Sequence, residues 1–221
     1  MFNVCPACGL YSVAREILCP GPRAICPSGG TGHPFLQLPL FVVTGASGAG
    51  KSTLALDLVP ALRKEAAVLD ADILWGPEFA TPEDGCRRFC EVWLRLAKNI
   101  GQSGLPVVLL GTFLPDQLER LPERRYFSAL HVLGLTAHDD DLKRRLRSRP
   151  AWRESGGDAF VEAMIRFNRR LQHIAGETPP IELVDTSAVG RDQTVARVAA
   201  WFRSGMAEAE SCVPFPASYE H

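Results

Sequence analysis

Gly45-Ala46-Ser47-Gly48-Ala49-Gly50-Lys51-Ser52 is the stretch on which the reading of this chain turns. It fits the phosphate-loop pattern: a glycine, four intervening positions, then Gly-Lys-Ser. Glycines let the backbone wrap a polyphosphate with several N–H groups turned inward. Lys51 is placed to bridge the β- and γ-phosphates, and the Ser52 hydroxyl to ligate Mg²⁺. The following helix, with Thr53 in its first turn, adds its positive dipole end. Average composition yields such a match by chance in roughly one chain per hundred of this length. The flanks narrow it further, because Leu40-Phe41-Val42-Val43-Thr44 supplies the strand the motif requires and Ser52–Leu58 the helix. A nucleoside triphosphate site is expected over residues 45–53.

Outward from the loop, apolar runs alternate with amphipathic stretches. The runs are Leu40–Thr44, Ala67–Leu69, Val107–Leu110, Leu130–Leu135 and Ile181–Val184. Helix-like segments lie near 51–65, 85–100, 139–149, 159–174 and 191–204. Short apolar strands alternating with helices predict an α/β fold, a mainly parallel sheet covered by helices on both faces. Pro60 should kink or end the first helix. Asp158 is a candidate cap for a helix opening at Ala159, with Phe160, Met164, Phe167, Leu171 and Ile174 on its core side. Residues 1–38 are rich in Cys, Pro and Gly and have no long apolar period. They read as a small stapled module ahead of a domain spanning 39–205, and 206–221 as a loose tail.

The chain has 221 residues, 24 basic and 25 acidic, with 46% hydrophobic and 22% charged. Those fractions exclude a disordered or fibrous chain. A net charge of −1 argues against a general nucleic-acid or membrane-surface binder, and no apolar stretch reaches the ~18–20 residues of a membrane span. Met1-Phe2-Asn3-Val4-Cys5-Pro6 lacks the basic and apolar regions of a signal peptide, so a cytoplasmic protein is expected. Arginine supplies 20 of the 24 basic residues, a skew that hints at a GC-rich bacterial genome.

The phosphate loop, with its strand and helix, makes residues 41–200 resemble the P-loop small-molecule kinases, which include nucleoside and nucleotide, shikimate, gluconate and adenylylsulfate kinases. The resemblance implies a five-stranded parallel sheet, an acceptor region after the second strand and an arginine-bearing lid after the fourth. Asp70-Ala71-Asp72 follows the strand Val68-Leu69. Open parallel sheets bind ligands beyond the carboxyl ends of their strands, so the pair belongs beside the loop. Alternate positions face opposite ways, which suits the two carboxylates to different jobs. The resemblance implies that one holds the Mg²⁺ water shell and the other orients or deprotonates an acceptor hydroxyl; Asp70 is assigned to Mg²⁺ and Asp72 to the acceptor. Arg88, flanking a stripe of Phe89, Trp93, Leu96 and Ile100, is a candidate acceptor ligand, and Trp75 and Thr112 are candidate pocket walls. A solvated turn, a solvated helix arginine and a core tryptophan are the plain alternatives.

Lys143-Arg144-Arg145-Leu146-Arg147-Ser148-Arg149-Pro150-Ala151-Trp152-Arg153 comes after the fourth strand. Pro150 ends the helix, and Gly156-Gly157 loosens the chain beyond it. An arginine-bearing, glycine-hinged segment near 145–157 is what a closing lid needs, with Arg149 and Arg153 as its arginines and Arg145 behind them. An exposed basic helix balanced by Asp139-Asp140-Asp141 is the alternative. The third strand ends Leu109-Leu110-Gly111-Thr112 without a Walker B acid, which disfavours motor and switch ATPases and leaves Mg²⁺ to Ser52 and Asp70. Asp185-Thr186-Ser187 sits where such kinases contact the base.

Cys5-Pro6-Ala7-Cys8-Gly9 resembles a zinc knuckle, and in a reducing compartment clustered cysteines read as metal ligands. Cys19 and Cys26 would complete a zinc-ribbon-like tetrahedron of Cys5, Cys8, Cys19 and Cys26, with His33 as a substitute ligand. Bound Zn²⁺ contributes on the order of 10 kcal/mol to folding, which a coreless segment of this kind needs. Four free thiols in a leader are the alternative, and Cys86, Cys90 and Cys212 read as inert.

Together these features lead to an ATP- and Mg²⁺-dependent kinase of a small-molecule hydroxyl such as a nucleoside, sugar or natural product, with structural Zn²⁺. A nucleoside monophosphate acceptor leaning on Arg88 is the runner-up. A nucleic-acid-end kinase is disfavoured by the near-neutral module (Arg15 and Arg23 against Glu16), and a regulatory nucleotide-binding module is the remaining reading.

Overall fold

The computed structural model describes residues 3–79, 84, 86–153, 155–176 and 181–209. Three short strands, β1 (Glu16–Leu18), β2 (Arg23–Ile25) and β3 (Gly32–Pro34), form an antiparallel sheet in the N-terminal module. The rest alternates strand and helix: β4 (Leu40–Gly45), α1 (Lys51–Ala61), β5 (Ala67–Asp70), α2 (Arg87–Gly101), β6 (Val107–Gly111), α3 (Pro115–Glu119), β7 (Leu130–Thr136), α4 (Asp139–Arg147), α5 (Asp158–Ile174), β8 (Glu182–Asp185) and α6 (Arg191–Glu208). β4 to β8 make a five-stranded parallel sheet in the order β5-β6-β4-β7-β8. β4, wholly buried, lies at its centre.

The period of two along β4 divides the core. Phe41 and Val43 pack with Leu54, Leu58, Val198 and Phe202 from α1 and α6, while Leu40 and Val42 pack with Phe89, Trp93 and Leu94 of α2 on the other face. All five apolar runs form strands. α1 ends one residue after Pro60, as the missing N–H and the ring's clash with the preceding turn require.

Two helix faces differ from the expected stripes. On α2 the buried set includes Phe89, Cys90, Trp93, Leu94 and Ala97, while Leu96 is exposed. On α5 Val161, Ile165, Asn168 and Leu171 are buried and Phe160 faces out. Each face is rotated because the neighbour it meets, not its most apolar residues, decides what is covered. Asp158 makes no cap; its carboxylate pairs with Arg147 at 2.8 Å and Gly157 holds the cap position. α6 runs to Glu208, past the expected boundary at 205, and residues 210–221 of the expected tail lie outside the described residues. Among the described residues no helix is long and apolar enough to cross a membrane.

The module rests on α2 and on the 3-10 turn Pro122–Tyr126. Ile17, Ala24 and Phe35 cluster with Tyr126, and Phe35 meets that ring edge-on at 5.7 Å. Lys98 Nζ donates to Asn3 Oδ1 at 2.7 Å, and the Gln102 amide exchanges two hydrogen bonds with the Leu36 backbone, at 2.8 and 2.9 Å.

Candidate active site

β4 delivers the phosphate loop into a cavity of about 530 Å³ at the carboxyl end of the sheet. Gly48 and Gly50 sit at φ of +92° and +102°, a backbone that a side chain would strain. Ser47 to Thr53 all line the cavity, whereas Gly45, the last residue of β4, and Ala46 are buried and lie outside its lining. Lys51 folds back over the loop, its Nζ donating to Gly45 O at 2.8 Å and Ala46 O at 3.1 Å. Burial lowers its pKa to about 8; Asp72 and then Asp70 oppose that, and Arg149 adds to it. An arriving triphosphate exchanges those carbonyl bonds for charge pairing. The Ser47 N–H points at Met164 Sδ, 3.3 Å away, a weak acceptor that a phosphate oxygen displaces readily. No pattern in the sequence pointed to Met164.

Asp72 lines the cavity with Lys51, Arg149 and Arg153. Asp70 is turned otherwise: its Oδ1 accepts the Asp72 N–H at 3.0 Å and caps the 3-10 turn Ala71–Leu74. The two carboxylates therefore do differ in position, and both lie within electrostatic reach of Lys51. Burial and the adjacent Arg153 hold the Arg149 pKa below its usual value, while Asp72 pulls the other way. Arg145 is fixed rather than lid-like. Its guanidinium donates to Gly48 O at 3.2 Å, to Thr186 Oγ1 at 3.0 Å and to Thr186 O at 3.0 Å. It ties the phosphate loop to the β8–α6 connection and lines the cavity together with Thr186.

The other acceptor candidates scatter. Thr112 Oγ1 donates to Gly45 O at 3.1 Å, so it braces the loop. Trp75 is half exposed and stands edge-on to Phe89 at 5.1 Å. Arg88 is exposed in the first turn of α2 and is not among the cavity's lining residues.

In the module, the thiol sulfurs of Cys5, Cys8 and Cys26 lie within 4.8 Å of one another. Cys8 and Cys26 are 3.5 Å apart, and His33 Nε2 is 3.3 Å from Cys5 Sγ. Two matching turns build this group: Gly9 N–H bonds Cys5 O at 2.8 Å, and Gly30 N–H bonds Cys26 O at 2.9 Å. In the second turn the place equivalent to Cys8 is taken by Gly29, so the fourth donor comes from β3 as His33. Cys19 is not part of the group; it is disulfide-bonded. The hairpin explains this, since Cys19 adjoins the Leu18–Arg23 end of the β1–β2 ladder and Cys26 the Glu16–Ile25 end, roughly 13 Å along it. The Gly29 N–H foremost, with Ser28 behind it, lowers the Cys26 thiol to about 7 against desolvation. Such N–H-to-sulfur bonds suit a thiolate ligand. Burial pushes Cys90 up to about 12 and raises Cys86, so both stay protonated thiols.

No family model and no curated protein matches this chain. Solved structures do. A sugar kinase from a Janibacter species superposes with a TM-score of 0.57 at 17% identity, over 78% of this chain and 99% of that one. A gluconokinase from Sinorhizobium meliloti gives 0.56 at 18% identity, over 78% and 96%. A shikimate kinase from Acinetobacter baumannii gives 0.52 at 18%, over 77% and 96%. The chain has the fold of the P-loop kinases, with the cluster of Cys5, Cys8 and Cys26 near its N-terminus.

Proposed function

We propose that this protein is an ATP- and Mg²⁺-dependent kinase that phosphorylates a hydroxyl of a small molecule. One observation carries the proposal: a single cavity joins Lys51 and Ser52 of the phosphate loop to the Asp72 carboxylate and to Arg149 and Arg153. Similar structures are sugar, gluconate and shikimate kinases, which supports a small-molecule acceptor. Lys51 and the loop N–H groups bind the triphosphate, and Arg145 with Thr186 orients the base. Asp72 takes the acceptor proton as its oxygen bonds to the γ-phosphorus and ADP departs; Arg149 and Arg153 neutralise charge on the moving group. Ser52, with Asp70 behind it, would hold Mg²⁺, which would supply charge neutralisation on the phosphates. The exposure of Arg88 outside the cavity favours a hydroxyl over a nucleoside monophosphate. Cys5, Cys8, Cys26 and His33 fit a structural Zn²⁺, because two pairs of donors already stand at ligand-to-ligand separation and four protein ligands leave no open position for chemistry.

The test is ADP release with Mg·ATP across nucleosides, nucleoside monophosphates, sugars and aminoglycoside-like alcohols, with Lys51→Ala as the control. Stimulation by one class, lost in the variant, is expected. A flat panel with tight ATP binding retained would sink the kinase reading.

A further inference from the structure

The phosphate loop is in contact with both helices that follow β7. Gly48 packs on α4: a Cβ built on it would stand 3.3 Å from Leu146 Cγ and 3.4 Å from Leu142 Cδ2. Ser47, beside it, meets α5, where its backbone N–H donates to Met164 Sδ at 3.3 Å. One turn further along α5 the buried Asn168 fixes the helix to the residue after β7. Its Nδ2 donates to Ala137 O at 2.9 Å, and its Oδ1 accepts the Ala137 N–H at 3.3 Å. A thioether is thus held at hydrogen-bond distance from an N–H of the loop, between a pinned helix and a loop packed on α4.

Methionine sulfur is apolar and a weak acceptor, but oxidation makes it a polar sulfoxide. Met164 is only partly buried, against Leu146, Val161 and Ile165, so a small oxidant has a way in. The chain has three methionines. Of the other two, Met206 packs on the core from α6 and neither it nor Met1 touches the loop's hydrogen bonds.

We propose that Met164 is an oxidation site that governs nucleotide binding: hydrogen peroxide converts its thioether to the sulfoxide, whose oxygen takes the Ser47 N–H and forces the phosphate loop out of its triphosphate-binding shape. This rests on the nucleotide site of the kinase reading and goes beyond it. The sulfur gives an electron pair to one peroxide oxygen, an S–O bond forms and the O–O bond breaks. The second oxygen leaves as hydroxide and takes the proton of the first to become water, so sulfur is oxidised by two electrons and peroxide reduced by two. An oxygen between sulfur and nitrogen needs an N–H···O distance of about 2.9 Å plus the S–O bond, more than the 3.3 Å present. Loop and side chain must separate by about 1 Å, and the N–H that the triphosphate would recruit is already held by a stronger acceptor.

The test treats the nucleotide-free full chain with hydrogen peroxide, then with dithiothreitol and Zn²⁺ to restore its cysteines. Peptide mass spectrometry reads oxidation at each methionine, and calorimetry reads the Kd for Mg·ATP. Oxidation at Met164 is expected to raise that Kd roughly 10-fold or more, the loss of one hydrogen bond to a charged group. Methionine sulfoxide reductases for both epimers should restore it. Met164→Leu, compared with its own untreated sample, should hold its Kd. An unchanged Kd with Met164 oxidised overturns the inference, as does an equal loss in Met164→Leu or a Met164 that resists peroxide while Met206 yields. The reductase arm uses the parent chain alone and decides the matter if Met164→Leu does not fold. Failure of the untreated parent to bind Mg·ATP overturns the nucleotide site and this inference with it.

Discussion

Lys51 should make the empty protein less stable, and its removal should show it. The ammonium is 7% exposed and burial draws its pKa from 10.5 to about 8. At 1.36 kcal/mol per pH unit, that difference is a burden of roughly 3 kcal/mol at pH 7. Lys51→Met removes the charge and fills the same channel with an apolar chain, but strips Gly45 O and Ala46 O of their donor, at about 1 kcal/mol each. The net expectation is a gain of about 1 kcal/mol, or ~2–4 °C in Tm for a chain of this size. The sign with pH is set by the folded pKa lying below the unfolded one. The unfolded chain holds the proton more tightly, so the burden is complete below about 8 and is relieved as pH rises towards 10.5. Thermal unfolding without nucleotide at pH 7 and pH 10 is the assay. Lys51→Met should be the more stable protein at pH 7 and lose that advantage at pH 10, when the neutral amine of the parent still donates. A variant equally destabilised at both pH values would refute the reasoning, because the lysine would then be a net structural support.

Four other parts of the molecule give outcomes of their own. Asp72→Asn should cut kcat by ~10²–10⁴ with little change in ATP affinity, read by steady-state kinetics on the best acceptor. Arg145→Ala, which unties the loop from Thr186, should raise the KM for ATP about 10-fold and leave the acceptor KM in place. The module should bind one Zn²⁺ per chain by elemental analysis, and His33→Ala or Cys26→Ala should lose it where Cys19→Ser keeps it. Gly111→Ala should destabilise by ~1–3 kcal/mol in urea unfolding, since its Cβ would stand 2.2 Å from the buried Phe113 ring and 2.9 Å from Ala71 Cβ.

Local chemistry explains which features were legible from residues alone. The phosphate loop is contiguous, so its glycines, Lys51 and Ser52 are read together, and the alternation of apolar runs with helices is itself the α/β pattern. The end of α1 at Pro60 is equally local. Spacing failed where partners are distant. Cys19 and Cys26 look like a second ligand pair, yet a β-hairpin sends them to opposite ends of its ladder. Thr112 seemed free to wall a pocket, but β6 runs beside β4 and brings its hydroxyl to Gly45 O.

The sequence by itself determined the phosphate loop and the parallel α/β sheet, because each is encoded in neighbouring residues or in a short period. Only the tertiary structure decided that Arg145 is held by Gly48 and Thr186 while Arg149 and Arg153 share the cavity with Asp72, and that His33 joins Cys5, Cys8 and Cys26. The reason is physical: a side chain's role depends on which carbonyls, rings and charges stand across from it, and those come from strands and loops tens of residues away.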